Sequence, residues 1–95
     1  MNVVWTEPAL LQLDAIYEYI AQTSPEYAQR LIDRLTRRSI QIADFPFSGR
    51  MVPEYESNEV REVLEWPYRI IYLIRSEQSR VEVLAVVHGS RLLQI

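Results

Sequence analysis

Between Leu10 and Ile20 the apolar residues Leu10, Leu13, Ile16, Tyr17 and Ile20 recur at helical spacing, and that rhythm predicts an amphipathic helix. Its start is marked as well. Thr6 can accept from the exposed amides of a first turn that holds Glu7 and Pro8, so the helix is expected from about Glu7 to Gln22. Ser24, Pro25 and Glu26 restart the pattern in the same way. Ala28, Leu31, Ile32, Leu35 and Ile42 then form one stripe, which should end near Asp44, before Pro46. A connection this short makes the two helices antiparallel neighbours, with their shared apolar side turned toward a third element.

The second half of the chain supplies that element. VREVL, YRIIYLI and VEVLAVV are rich in Val, Ile, Leu and Tyr and predict three strands. SEQS, between Arg75 and Arg80, has hairpin length and makes the last two strands antiparallel. In the first of the three, Val60, Val63 and Leu64 also fit helical spacing; the valines, Trp66 and Pro67 decide for a strand. Met1 to Trp5 reads as a further short strand, and FPFSGRMVPEYES as a loop of the length that often carries function. The expected fold is α+β in the order β-α-α-β-β-β, a helical hairpin packed on a small antiparallel sheet, with residues 1–95 as one domain.

Composition narrows the chemistry. There is no cysteine and a single histidine, His88, so neither a disulfide framework nor a zinc cluster is expected, and no cofactor. A reducing, cytoplasmic setting fits, and no apolar run approaches the roughly 20 residues that span a bilayer. All ten basic residues are arginine, against thirteen carboxylates, for a net charge of -3. That balance argues against broad nucleic-acid binding, and no direct sequence-specific DNA binding is expected of this chain alone. Without lysine there is no Schiff base and no phosphate-loop lysine, and Gly49 and Gly89 are too few for a glycine-rich cradle.

Arg30, Arg34, Arg37 and Arg38 form a stripe on the second helix, but Glu26 and Asp33 lie four residues before Arg30 and Arg37. Ion pairs on a solvated face are therefore expected there. Glu54, Glu56, Glu59, Glu62 and Glu65 crowd a short stretch without any fixed geometry for acid-base work. Strand alternation is more informative. It sets Tyr68, Ile70, Tyr72 and Ile74 on one face, with Arg69, Ile71, Leu73 and Arg75 on the other. Arg61 alternates away from Val60, Leu64 and Trp66, so Arg61 and Arg69 are expected on the face that the helices leave uncovered, joined at the end of the last strand by His88 and Arg91. Taken alone, His88 is more readily a structural residue than a catalytic one.

The order of these pieces resembles the ParE/RelE superfamily of bacterial type II toxins over nearly the whole chain. The matching parts are the opening strand with Trp5, DAIYEYIA, SPEYAQRLI, PFSGRMVPE, Arg61 with Glu62, YRIIY and the ending VVHGSR. The resemblance implies a growth-inhibiting toxin held inactive by a cognate antitoxin. RelE-like members cleave mRNA on the ribosome, whereas ParE-like members inhibit DNA gyrase without cutting RNA. SGR, HGSR and the acidic, lysine-free composition lean toward the ParE, plasmid-stabilisation branch, a non-enzymatic inhibitor. In the RelE alternative, an endoribonuclease, Arg69 and His88 would be catalytic. The residues expected at the target are Arg50, Arg61, Arg69, His88 and Arg91, and those expected at the antitoxin are Tyr17, Leu31 and Leu35.

Overall fold

The computed structural model describes residues 1–89. Strand β1 (Asn2–Trp5) leads into helices α1 (Glu7–Ala21) and α2 (Pro25–Asp44). A two-residue strand, β2 (Arg50–Met51), follows, and then β3 (Val60–Glu65), β4 (Tyr68–Arg75) and β5 (Arg80–His88). The caps act as the sequence indicates: Thr6 Oγ1 accepts from the Ala9 amide and Ser24 Oγ from the Tyr27 amide. No helix among the described residues is long and apolar enough to cross a membrane.

The two helices pack on one face of a five-stranded sheet in the order β1-β5-β4-β3-β2. Buried Leu13, Leu31, Leu35 and Ile42 meet Val63, Ile70, Tyr72, Ile74, Val81, Val83 and Val86 in the main core. The sheet is mixed rather than antiparallel throughout, because β1 runs parallel to β5. Alternation specifies which face a side chain takes and says nothing of strand direction. Direction is set by tertiary contacts: the Thr6 amide and hydroxyl both donate to the Val83 carbonyl, and Trp5 Nε1 donates to Ser39 Oγ at 2.9 Å.

The segment expected as a loop both extends and covers the sheet. Arg50 and Met51 pair with Glu62 and Arg61. Val52 then turns under the sheet and joins Val60, Ile71 and Ala85 in a second buried cluster, with Tyr55, Leu73 and Val87 packed around it. The face opposite the helices is therefore not an open surface. Its side chains are apolar over Ile71 and Ala85, and leaving that area in water would forgo roughly 25 cal/mol per Å².

One irregularity re-phases the last strand. Ile71 pairs with Ala85 but Tyr72 with Val83, so Leu84 is the extra residue of a bulge. Before it, Val81 and Val83 face the helices; after it, Val86 and His88 do, while Ala85 and Val87 turn to the second cluster. The bulge decides which side of the sheet His88 is on.

Gly49 is fixed by a close approach. A Cβ there would stand 2.4 Å from Tyr72 Oη and 2.6 Å from the Glu62 carbonyl oxygen. Tyr72 cannot yield readily, being fully buried, and its hydroxyl donates to the Pro46 carbonyl at 2.6 Å. Gly49→Ala is expected to destabilise the fold by about 1–3 kcal/mol, the usual cost of overpacking, read as a lower urea midpoint. Adding Tyr72→Phe should restore only part of the loss, since the Glu62 backbone still blocks the new methyl group.

Candidate functional site

Charged side chains meet on the loop-covered face of the sheet. Glu62, 1% exposed, accepts from Arg69 Nε at 2.7 Å and from Arg50 Nε. The other end of the Arg69 guanidinium grips Glu54 with two parallel bonds, Nη1 to Oε2 at 2.9 Å and Nη2 to Oε1 at 2.8 Å. Sheet alternation brings Arg69 beneath the loop, and the Val52 turn brings Glu54 down to it. These contacts, with the Glu54 hydrogen bonds the largest cause, push the Arg69 pKa further above its ordinary value. The group is a permanent cation committed to two carboxylates.

Arg61 lies on the other side. It pairs in register with Tyr72, whose ring belongs to the helix-side core, whereas Arg69 pairs with Leu64. The expectation that Arg61 and Arg69 share the uncovered face is therefore corrected. Val60, taken as the core-facing reference for alternation in β3, is buried under the loop instead of under the helices. The Arg61 guanidinium bonds the carbonyls of Phe47, Gly49 and Asn58 and lies over the Phe47 ring, 5.1 Å from its centroid. It ties the two ends of the loop together. Arg50 keeps an exposed side chain whose guanidinium is held at Nε by Glu62.

His88 ends β5 opposite Tyr68, the two rings edge to face at 5.8 Å between centroids. Both line a groove of about 500 Å³ with Gln12, Ile16 and Tyr19 of α1. Burial raises the Tyr68 pKa, and the nearby Tyr27 and Tyr19 add to the shift. The next pair along, Arg69 and Val87, points to the opposite face. His88 and Arg69 therefore do not converge, contrary to the placement expected from uninterrupted alternation. Arg91 lies outside the described residues.

The expected antitoxin contacts divide differently. Leu31 and Leu35, 1% and 0% exposed, are spent in the core, and Tyr17 is half-buried. What the sequence reading passed over is a second stripe on α1, where Leu11 (60% exposed) and Tyr19 (75% exposed) flank the exposed Ala15. The stripe runs into the groove lined by Tyr68 and His88. Leu11, Ala15 and Tyr19 are themselves spaced by four, so the signal was present: α1 is apolar on more than one side, which a single core contact does not require.

The family model for the ParE toxin of type II toxin-antitoxin systems, parDE, matches residues 3–93. The chain is 37% identical over 92 residues to Toxin RelE2 of Caulobacter vibrioides, covering 96% of this chain and 98% of that protein. A putative toxin of Sinorhizobium fredii is 34% identical over 88 residues, 93% of this chain and 88% of that one. In fold the chain is similar to the chromosomal ParDE system of P. aeruginosa, with a TM-score of 0.73 at 23% identity, over 93% of this chain and 95% of that one. It is also similar to the RelBE2 toxin-antitoxin complex of Mycobacterium tuberculosis, with a TM-score of 0.69 at 19% identity, over 92% and 88%.

The charge network generates a contrast between two variants. Arg69→Ala strands a carboxylate inside the sheet and is expected to cost about 3 kcal/mol. Glu54→Gln removes a charge that is partly in water and should cost about 1 kcal/mol or less. Both should expose the segment 52–59 to limited proteolysis, and only Arg69→Ala should move the urea midpoint substantially.

Proposed function

This chain belongs to the ParE toxin family of type II toxin-antitoxin systems, and from that membership we propose that it arrests growth by binding DNA gyrase in the cytoplasm, without cutting RNA, until a cognate antitoxin covers it. The observation that carries the non-enzymatic reading is the separation of Arg69 from His88. A phosphodiester would have to meet a cation and a proton carrier on the same side. Here the cation is held by Glu62 and Glu54 beneath a loop, and the histidine stands on the helix side against Tyr68. Net charge supports the same reading, since an excess of carboxylates repels an RNA backbone.

The antitoxin reading rests on α1. A helix that buries Leu13 and Ala9 inward while showing Leu11, Ala15 and Tyr19 outward has apolar surface left for a partner. Solved proteins of similar fold include toxin-antitoxin complexes, which supports a partner of that kind. Its chemistry follows from charge. Every ionised residue of α1 is acidic, Glu7, Asp14 and Glu18, so the covering segment should be an apolar helix edged with Lys or Arg, its apolar side in the groove by Tyr68.

Two experiments test these statements. In a purified assay the toxin should reduce gyrase supercoiling while a translated reporter mRNA stays intact, and prompt ribosome-dependent cleavage of the message would establish the endoribonuclease alternative instead. His88→Ala should still arrest growth; a ribonuclease that used this histidine for proton transfer would lose about 10²- to 10⁴-fold in rate. In the second experiment, Leu11→Glu combined with Tyr19→Glu should leave growth arrest in place but weaken antitoxin binding by about tenfold or more in calorimetry. Unchanged antitoxin affinity would remove α1 as the covered surface.

A further inference from the structure

The basic stripe of α2 does not do what its spacing suggests. Neither Glu26 with Arg30 nor Asp33 with Arg37 forms an ion pair; Asp33 accepts from Gln29 Nε2 at 3.0 Å instead. Among the described residues Arg30 and Arg37 keep their guanidinium groups in water. Arg38 is fixed by Glu65 at 3.0 Å and by Gln41, and Arg34 lies 3.7 Å from the same Glu65. Beyond them, Ile40 is 63% exposed and Phe45 67%. These side chains border a groove of about 520 Å³ between the C-terminal half of α2 and the end of β3. A smaller hollow that shares Arg38 and Gln41 continues to Arg50 and Leu64.

The same groove reaches an open strand. Strand β2 pairs only with Arg61 and Glu62, so β3 has no outer strand partner over Val63 to Glu65 among the described residues. An unpaired edge presents backbone donors and acceptors at fixed spacing. Beside it stand arginines able to grip carboxylates and two large apolar side chains, Ile40 and Phe45, that stay mostly exposed among the described residues.

We propose that this groove docks an acidic segment of the protein the toxin inhibits, one that sets an apolar residue on Ile40 and Phe45 and lies along the open edge of β3. The inference rests on the reading that the chain acts by binding a protein, and it assigns the face that does so. Charge complementarity selects the partner: Arg34, Arg37 and Arg50 are exposed and offer planar, bidentate donors to carboxylates. Arginine and large apolar residues together are the usual anchors of protein interfaces, and strand addition supplies register. A nucleic acid fits less well. Ile40 and Phe45, which would seat an apolar side chain of a protein segment, would meet only sugar and charge on a nucleic acid. This face differs in sign from α1, so it is a separate surface from the one assigned to the antitoxin.

The test uses the full chain, isotopically labelled for amide NMR. It is titrated with a short synthetic peptide of glutamates around a central Leu-Phe pair and, separately, with a single-stranded oligonucleotide of equal length. The peptide should shift amides from Arg34 to Phe45 and from Val63 to Glu65. Arg37→Glu and Ile40→Asp, both at exposed positions, should each weaken binding by about tenfold with unchanged circular dichroism. Shifts confined to other regions would overturn the proposal, as would binding of the oligonucleotide there that depends on Arg37 but not on Ile40. In cells the double variant should lose growth arrest and still bind its antitoxin, and undiminished arrest would equally overturn it. Failure of the wild-type chain to inhibit gyrase would count against the target alone, since the titration decides the surface independently.

Discussion

Glu62 puts a carboxylate, 1% exposed, inside a five-stranded sheet, and much of the remaining architecture follows from holding that charge. A buried anion is tolerated only with cationic donors in good geometry. Arg69 comes from the neighbouring strand and Arg50 from the short edge strand. Because Arg69 is itself almost wholly buried, it needs more than one acceptor, and Glu54 closes the chain of charges from the loop. The loop is thereby drawn across the second face of the sheet, where Val52 seals Ile71 and Ala85 from water.

This arrangement changes how the arginines are to be understood. In a lysine-free chain with net charge -3, each arginine is a natural candidate for recognition. Arg61 and Arg69 also fasten the fold, one closing the loop ends through carbonyl groups and one joining the loop to the sheet. Among the described residues Arg30 and Arg37, expected by spacing to pair with Glu26 and Asp33, do not form those pairs.

The two helices also divide their roles. Helix α2 buries one apolar stripe, and its exposed side carries Arg30, Arg34 and Arg37 together with Ile40. Helix α1 is apolar on two sides and carries only acidic charge. Surfaces of different charge on one small domain accord with the proposal of two partners, a target and a neutralising protein, bound at different places.

The sequence by itself determined the elements and their caps, because periodicities of 3.6 and 2 and the residues Thr6, Ser24, Pro8 and Pro25 act within a few residues of chain. It also carried the family, through motifs such as SGR and HGS whose glycines record close backbone approaches; at Gly49 the approach is to Tyr72 and Glu62. The sides on which Arg61 and His88 lie were decided only by the tertiary structure. Alternation propagates a face along a strand but needs an outside reference, and in β3 the reference Val60 is buried under a loop instead of under the helices. In β5 a single extra residue, Leu84, inverts the alternation, and nothing local distinguishes it from Val83 or Ala85. Parallel pairing of β1 and the choice of Gln29 over Arg37 as the partner of Asp33 were likewise settled beyond the local pattern of apolar and charged positions.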